Sequence, residues 1–118
     1  MGRFEVNVKV SNLAQPERTA EVSLLVDTGA TLSWLPRDFL ERIGVRPMAR
    51  GRFQLPDGRY VEREKGGVLL SVDGQTVAMT VAFAEPGEAT VLGATALEAL
   101  GLAVDPVKQK LVPHDLYI

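Results

Sequence analysis

The residues best equipped for chemistry stand together in Leu24-Leu25-Val26-Asp27-Thr28-Gly29-Ala30-Thr31. Three apolar residues deliver a carboxylate, a hydroxyl and a glycine in immediate succession, the pattern of a buried strand entering a tight turn. A carboxylate held in an apolar turn has a proton affinity that its surroundings can adjust, which is what acid–base work requires. Asp, Thr and Gly are also ordinary turn and strand-end residues. Taken alone, the tripeptide therefore supports a plain turn as well as a reactive acid.

The totals remove several other chemistries. The chain has no cysteine and one histidine, which excludes thiol catalysis, disulfides and a Cys- or His-rich metal centre. A Ser-His-Asp triad would have to use His114. No metal and no cofactor are expected. A net charge of −2 and only seven aromatic residues, none interleaved with a basic cluster, argue against nucleic acid as partner. No apolar run is long enough to span a membrane, and Met1-Gly2-Arg3-Phe4-Glu5 lacks an apolar signal region. The expected location is the cytoplasm. At 118 residues the chain reads as one domain, 1–118. Its 46% hydrophobic content suits a globular protein, while its mean hydropathy of +0.06 is high for a small soluble one and points to an apolar face covered by a second copy.

The elements that would position Asp27 can be read from periodicity. Phe4, Val6, Val8 and Val10 alternate with polar residues and predict a half-buried strand. Residues 12–17 read as a loop. Ala20, Val22, Leu24 and Val26 predict a second strand, and the added Leu25 implies burial on both faces. Pro36 through Gly44 reads as a short helix with proline in its first position and an apolar face of Leu35, Phe39, Leu40 and Ile43. Residues 45–51 read as loop, with Arg46, Arg50 and Arg52 solvated. Residues 52–55 and 60–63 flank Pro56-Asp57-Gly58-Arg59, a hairpin signal. A second hairpin turns at Asp73-Gly74. Ala89-Thr90-Val91-Leu92 predicts an apolar strand, and residues 94–101 a second helix closed by glycine. The tail carries a turn at Lys108-Gln109-Lys110 and predicts a final hairpin or edge strand. About nine short strands and two short helices make a mostly-β domain, a small closed or rolled barrel.

Two of these features combine. Asp27-Thr28-Gly29-Ala30 ends one apolar strand, and Val91-Leu92-Gly93 ends another 66 positions later, immediately before a helix, with a hairpin between them. The combination resembles the retropepsin-like aspartic proteases, the family of the retroviral proteases and their small cellular and bacterial relatives. The resemblance runs from Phe4 to about Val112. It implies the acid-protease barrel, with the hairpin over residues 53–63 as a flap and Asp27, Thr28 and Gly29 as the catalytic tripeptide.

In that family two carboxylates share one proton, because like charges a few ångström apart resist joint ionisation. This chain has one Asp-Thr-Gly. Asp57 and Asp73 fall in hairpin turns, Asp38 at a helix start, and Asp105 and Asp115 in the tail. The resemblance therefore implies a homodimer in which each subunit donates one Asp27 across a two-fold axis. It further implies an extended peptide or protein substrate, bound between acid loops and flaps, with Leu25, Ala30, Trp34, Val91 and the flap residues Leu55, Pro56, Asp57, Gly58 and Arg59 lining the pockets. Thr28 would tie the two acid loops together, and Gly93 would let the second signature pack beneath the acid. Each has a plainer role: a strand-end Thr, a core Trp, a packing Ala, a turn Gly.

The chain departs from the retroviral pattern in three places. Its flap tip carries a proline where those enzymes are glycine-rich. Thr31 and Leu32 stand where they often carry Asp, and the tail beyond Val107 is longer. These departures keep a second reading open, a catalytically weak or inactive peptide-binding or dimerisation module with the same fold. A third reading, an oligonucleotide-binding barrel, runs against the acidic balance.

Overall fold

The computed structural model describes residues 4–115. Along them run β1 (Glu5–Asn12), β2 (Thr19–Val26), β3 (Ser33–Pro36), α1 (Arg37–Arg42), β4 (Ala49–Gln54), β5 (Tyr60–Val72), β6 (Gln75–Ala84), β7 (Val91–Leu92), α2 (Ala94–Leu100), β8 (Leu102–Asp105) and β9 (Lys110–Pro113). Seven strands form one sheet in the order β1-β2-β7-β3-β6-β5-β4. β1 also pairs with β5, so every strand of that sheet except β4 belongs to a closed ring. β8 and β9 make a separate antiparallel pair, the final hairpin expected from the tail. Neither described helix is long and apolar enough to cross a membrane.

The alternation read in the sequence decides which side chains enter the ring. Val8, Val10, Leu24, Leu35, Val68, Leu70, Val81, Phe83 and Leu92 are fully buried, while their strand neighbours Glu5, Asn7, Lys9, Glu21 and Ser23 face water. Phe39 and Leu40 from α1, and Ala96, Leu97 and Leu100 from α2, complete this core. Burying each large aliphatic or aromatic side chain contributes roughly 1.5–3 kcal/mol, so the ring is held mainly by this interior. α2 ends as expected at Gly101, in the left-handed conformation (φ 67°).

Several boundaries differ from the sequence reading, each for a tertiary reason. Residues 33–36 form a strand, because β3 is pinned between β6 and β7 by partners far away in sequence. Pro36 consequently closes that strand (φ −58°, ψ 135°) and precedes α1 instead of opening it. β5 is one strand of 13 residues, where the sequence reading has a strand over 60–63 and a separate hairpin turning at Asp73-Gly74. Gly66 is there for space: a Cβ would lie 3.0 Å from the Arg46 carbonyl oxygen and 3.0 Å from the Phe83 ring. Continuous β5 gives β4 a partner as far back as Ala49, inside the expected loop. Asn12 ends β1 rather than starting a loop, its Nδ2 donating to the Ile43 carbonyl (2.9 Å). Residues 89 and 90 stay outside β7, and Leu25 and Val26 are half-buried instead of covered on both faces.

Candidate active site

Asp27 is the first residue beyond β2, at the point where the ring opens to solvent. Its backbone is fixed from two sides: the Asp27 N–H donates to the Leu92 carbonyl (3.0 Å), and its carbonyl accepts from the Ala30 N–H (3.3 Å). Its side chain turns back on the loop, Oδ1 accepting from the Gly29 N–H at 2.9 Å. Asp27, Thr28 and Gly29 are all exposed on the face of the chain.

The loop after Val91-Leu92 is threaded beneath this turn. At Gly93 a Cβ would lie 2.5 Å from the Leu32 carbonyl oxygen and 2.8 Å from that of Ala30, so no side chain fits. The start of α2 supplies the remaining ties. Helices begin with N–H groups that lack intrahelical partners. Here Ala94 N–H donates to the Ala30 carbonyl (2.7 Å) and Thr95 N–H to that of Thr31 (3.0 Å). The Thr95 hydroxyl adds a second bond to the Thr31 carbonyl (2.8 Å). Beneath them the Gly93 N–H donates to Ser33 Oγ at 3.0 Å, and Ser33 is fully buried. Ser33 and Thr95 were missed in the sequence. The signal for Ser33 was a lone hydroxyl among Leu32, Trp34 and Leu35, since a buried polar group needs a partner.

The expected pocket residues fall into two groups. Leu25 is in register with Val91, and Val91 with Trp34, so the three stand in one row across β2, β7 and β3. Leu25 and Trp34 are half-buried and Val91 is 4% exposed. Ala30 is half-buried beside Asp27. The second group, residues 55–59, caps the β4–β5 hairpin, and apart from half-buried Leu55 it is exposed. Its hydrogen bonds stay within the hairpin. Leu55 N–H donates to the Arg59 carbonyl (2.7 Å) and Gly58 N–H to the Leu55 carbonyl (2.9 Å). Arg59 donates to Asp57 from its N–H (3.0 Å) and from Nε (2.7 Å), and these bonds hold the Asp57 carboxyl below its ordinary range. One residue joins the two groups and was not singled out in the sequence. Phe53 of β4 meets Trp34 edge to face, with centroids 4.9 Å apart and planes at 66°.

The stem of the same hairpin is clamped by ions. Arg37 reaches Glu85 at 2.9 Å and Glu64 at 2.5 Å, and lies over the Phe83 ring at 5.0 Å. Arg63 pairs with Glu88. The Arg37 hydrogen bonds lower the pKa of Glu85, and those of Arg63 lower that of Glu88. Of the three arginines expected in solvent, Arg46, Arg50 and Arg52, all are exposed, and Arg52 stacks on Tyr60 at 3.8 Å. Among the described residues no cluster of three or more His, Cys, Asp or Glu is placed to hold a metal.

Comparison with known proteins agrees with this arrangement. The family profile described as Aspartyl protease matches residues 6–96, most of the chain. Among solved structures, the EIAV protease complexed with the inhibitor HBY-793 is similar, with a TM-score of 0.59 and 24% sequence identity over 88% of this chain and 93% of that one. No curated protein matches. An acid turn locked onto a second strand–glycine–helix unit, in a ring of short strands, is thus found in a chain that belongs to the aspartyl protease family and has the retropepsin-like fold.

Proposed function

We propose that this chain is a homodimeric aspartic endopeptidase with one active site, formed where the Asp27 carboxylates of two subunits meet. The observation that carries the reading is the setting of Asp27: exposed, at a strand end, in a loop bonded to the Leu92 carbonyl and propped on Gly93. Amide hydrolysis needs a base to take a proton from water and an acid to protonate the carbonyl oxygen. A pair sharing one proton supplies both and titrates as a unit. Among the described residues no second Asp stands in a like setting. Asp57 is bound to Arg59, Asp105 accepts from the N–H groups of its own turn, Asp38 accepts from the Phe39 N–H in the first turn of α1 and Asp73 lies in a hairpin turn. An isologous interface brings two Asp27 together without a second motif.

In this reading the β4–β5 hairpin is the flap. An extended peptide lies between it and the acid loop, its alternate side chains directed at the row of Leu25, Val91 and Trp34. Thr28 links the two acid loops, Gly29 and Ala30 keep the backbone open beside the scissile bond, and residues 55–59 close over it. The test is Asp27→Asn. Turnover of a peptide library should fall by about 10²–10⁴-fold or more, with dimerisation by sedimentation and the circular dichroism spectrum unchanged. An undiminished cleavage rate rejects the assignment.

A second reading is favoured by the tip, where Pro56 and the Asp57–Arg59 pair make a stiffer turn than a glycine-rich one. It holds that the dimer binds peptides and does not cut them. Binding without cleavage at both acidic and neutral pH would select it.

A further inference from the structure

Leu25, Val91 and Trp34 are successive register partners on adjacent strands. With strands about 4.8 Å apart, the row reaches roughly 10 Å from Leu25, two residues before Asp27, to Trp34. Its three side chains are uncharged, and the next register partner beyond Leu25 is the exposed Glu5 of β1. Its middle is shallow, because Val91 keeps only 4% exposure. At its far end Trp34 is met by Phe53, the two rings edge to face with centroids 4.9 Å apart, a contact with no space for a third group between the rings. Phe53 belongs to β4, paired with Val61 of β5, so it moves only as the hairpin moves.

We propose that Phe53, acting with Trp34, sets the size of the side chain accepted beside Asp27 and restricts that subsite to small aliphatic residues. The inference rests on the peptidase reading for the path of the peptide, but the filter itself is a matter of binding. An Ala or Val side chain lies on the row with the aromatic pair intact. A Phe or Trp side chain has to part the rings and lift the hairpin. Losing an edge-to-face pair lowers affinity by up to about tenfold. All four lining side chains are apolar, so charged residues at this position are rejected by desolvation instead of size.

The experiment separates binding from turnover by using the Asp27→Asn protein. It is titrated with extended peptides identical except for Ala, Val, Leu or Phe at one position, each position being scanned in turn. At one position the Ala and Val peptides should bind up to about tenfold more tightly than the Phe peptide. Asp27→Asn/Phe53→Ala should abolish or invert that ranking, and Phe53→Leu should fall between. Trp34 is the only tryptophan, so its emission should move to longer wavelength in Phe53→Ala, with the circular dichroism spectrum retained. An unchanged ranking in Phe53→Ala, no ranking in the parent, or no peptide binding overturns the filter. A clear ranking, with no cleavage of the bound peptides by the protein carrying Asp27, sinks the peptidase reading and leaves the filter standing.

Discussion

The acid loop and the β4–β5 hairpin tip are both turns of a few residues, yet they are held in opposite ways. Around Asp27 the bonds within the turn, from the Gly29 and Ala30 N–H groups, are joined by others from elsewhere in the chain: the Leu92 carbonyl, the Ala94 and Thr95 N–H groups, and Ser33 Oγ beneath Gly93. At the tip every bond begins and ends within residues 54–59, and the side chains of Arg59 and Asp57 satisfy each other in solvent. Local unfolding costs little where contacts are local and exposed, and much where they are buried and distant in sequence. A group that must keep its position to within a fraction of an ångström belongs in the first setting, and a cover that must open belongs in the second.

The contrast can be broken from the rigid side. Gly93→Ala places a methyl 2.5 Å from the Leu32 carbonyl oxygen. It should cost about 3 kcal/mol or more, read from the midpoint of chemical denaturation. Ser33→Ala leaves the buried Gly93 N–H without its acceptor, with an expected loss of about 1–3 kcal/mol by the same measurement.

The ion clamp at the hairpin stem should give a smaller effect with a definite pH signature. The Glu85 and Glu88 pKa values are lowered by Arg37 and Arg63 in the folded chain. Their stabilisation is therefore complete above the ordinary carboxylate value of 4.5 and is lost as pH falls through the lower folded values. Arg63→Gln should remove part of that acid dependence and about 1 kcal/mol at neutral pH, measured as stability against pH. The smallest change is expected at the tip. Asp57→Asn loses the ion pair to Arg59 and should leave global stability within about 0.5 kcal/mol, while amide hydrogen exchange over residues 55–59 quickens. A tip substitution as costly as Gly93→Ala would erase the distinction between the two turns.

The sequence made the acid turn, the second strand–glycine–helix unit and the hairpin readable, because each announces itself within a few neighbouring residues. Alternation found the interior of β1, β2, β5 and β6 for the same reason. Less was legible wherever a segment depends on distant partners. β3 has four residues and no period of its own, and Gly66 resembles a strand break until Phe83 and Arg46 are packed against it. Within the site, Asp27 and Gly93 could be named from the resemblance to the retropepsin-like family that their motifs carry. Ser33, Thr95 and Phe53 could not, since what distinguishes them is the group each meets across the fold.

β1 finds partners on both sides, and among the described strands of the main sheet β4 alone pairs with a single neighbour, β5. Unpaired strand margins are templates on which further chains can add and grow into fibrils. Arg50, Arg52 and Gln54 stand exposed along this one, and two of the three are cationic. A neighbouring copy adding to β4 in register would meet like charge, so this margin is guarded by its own arginines.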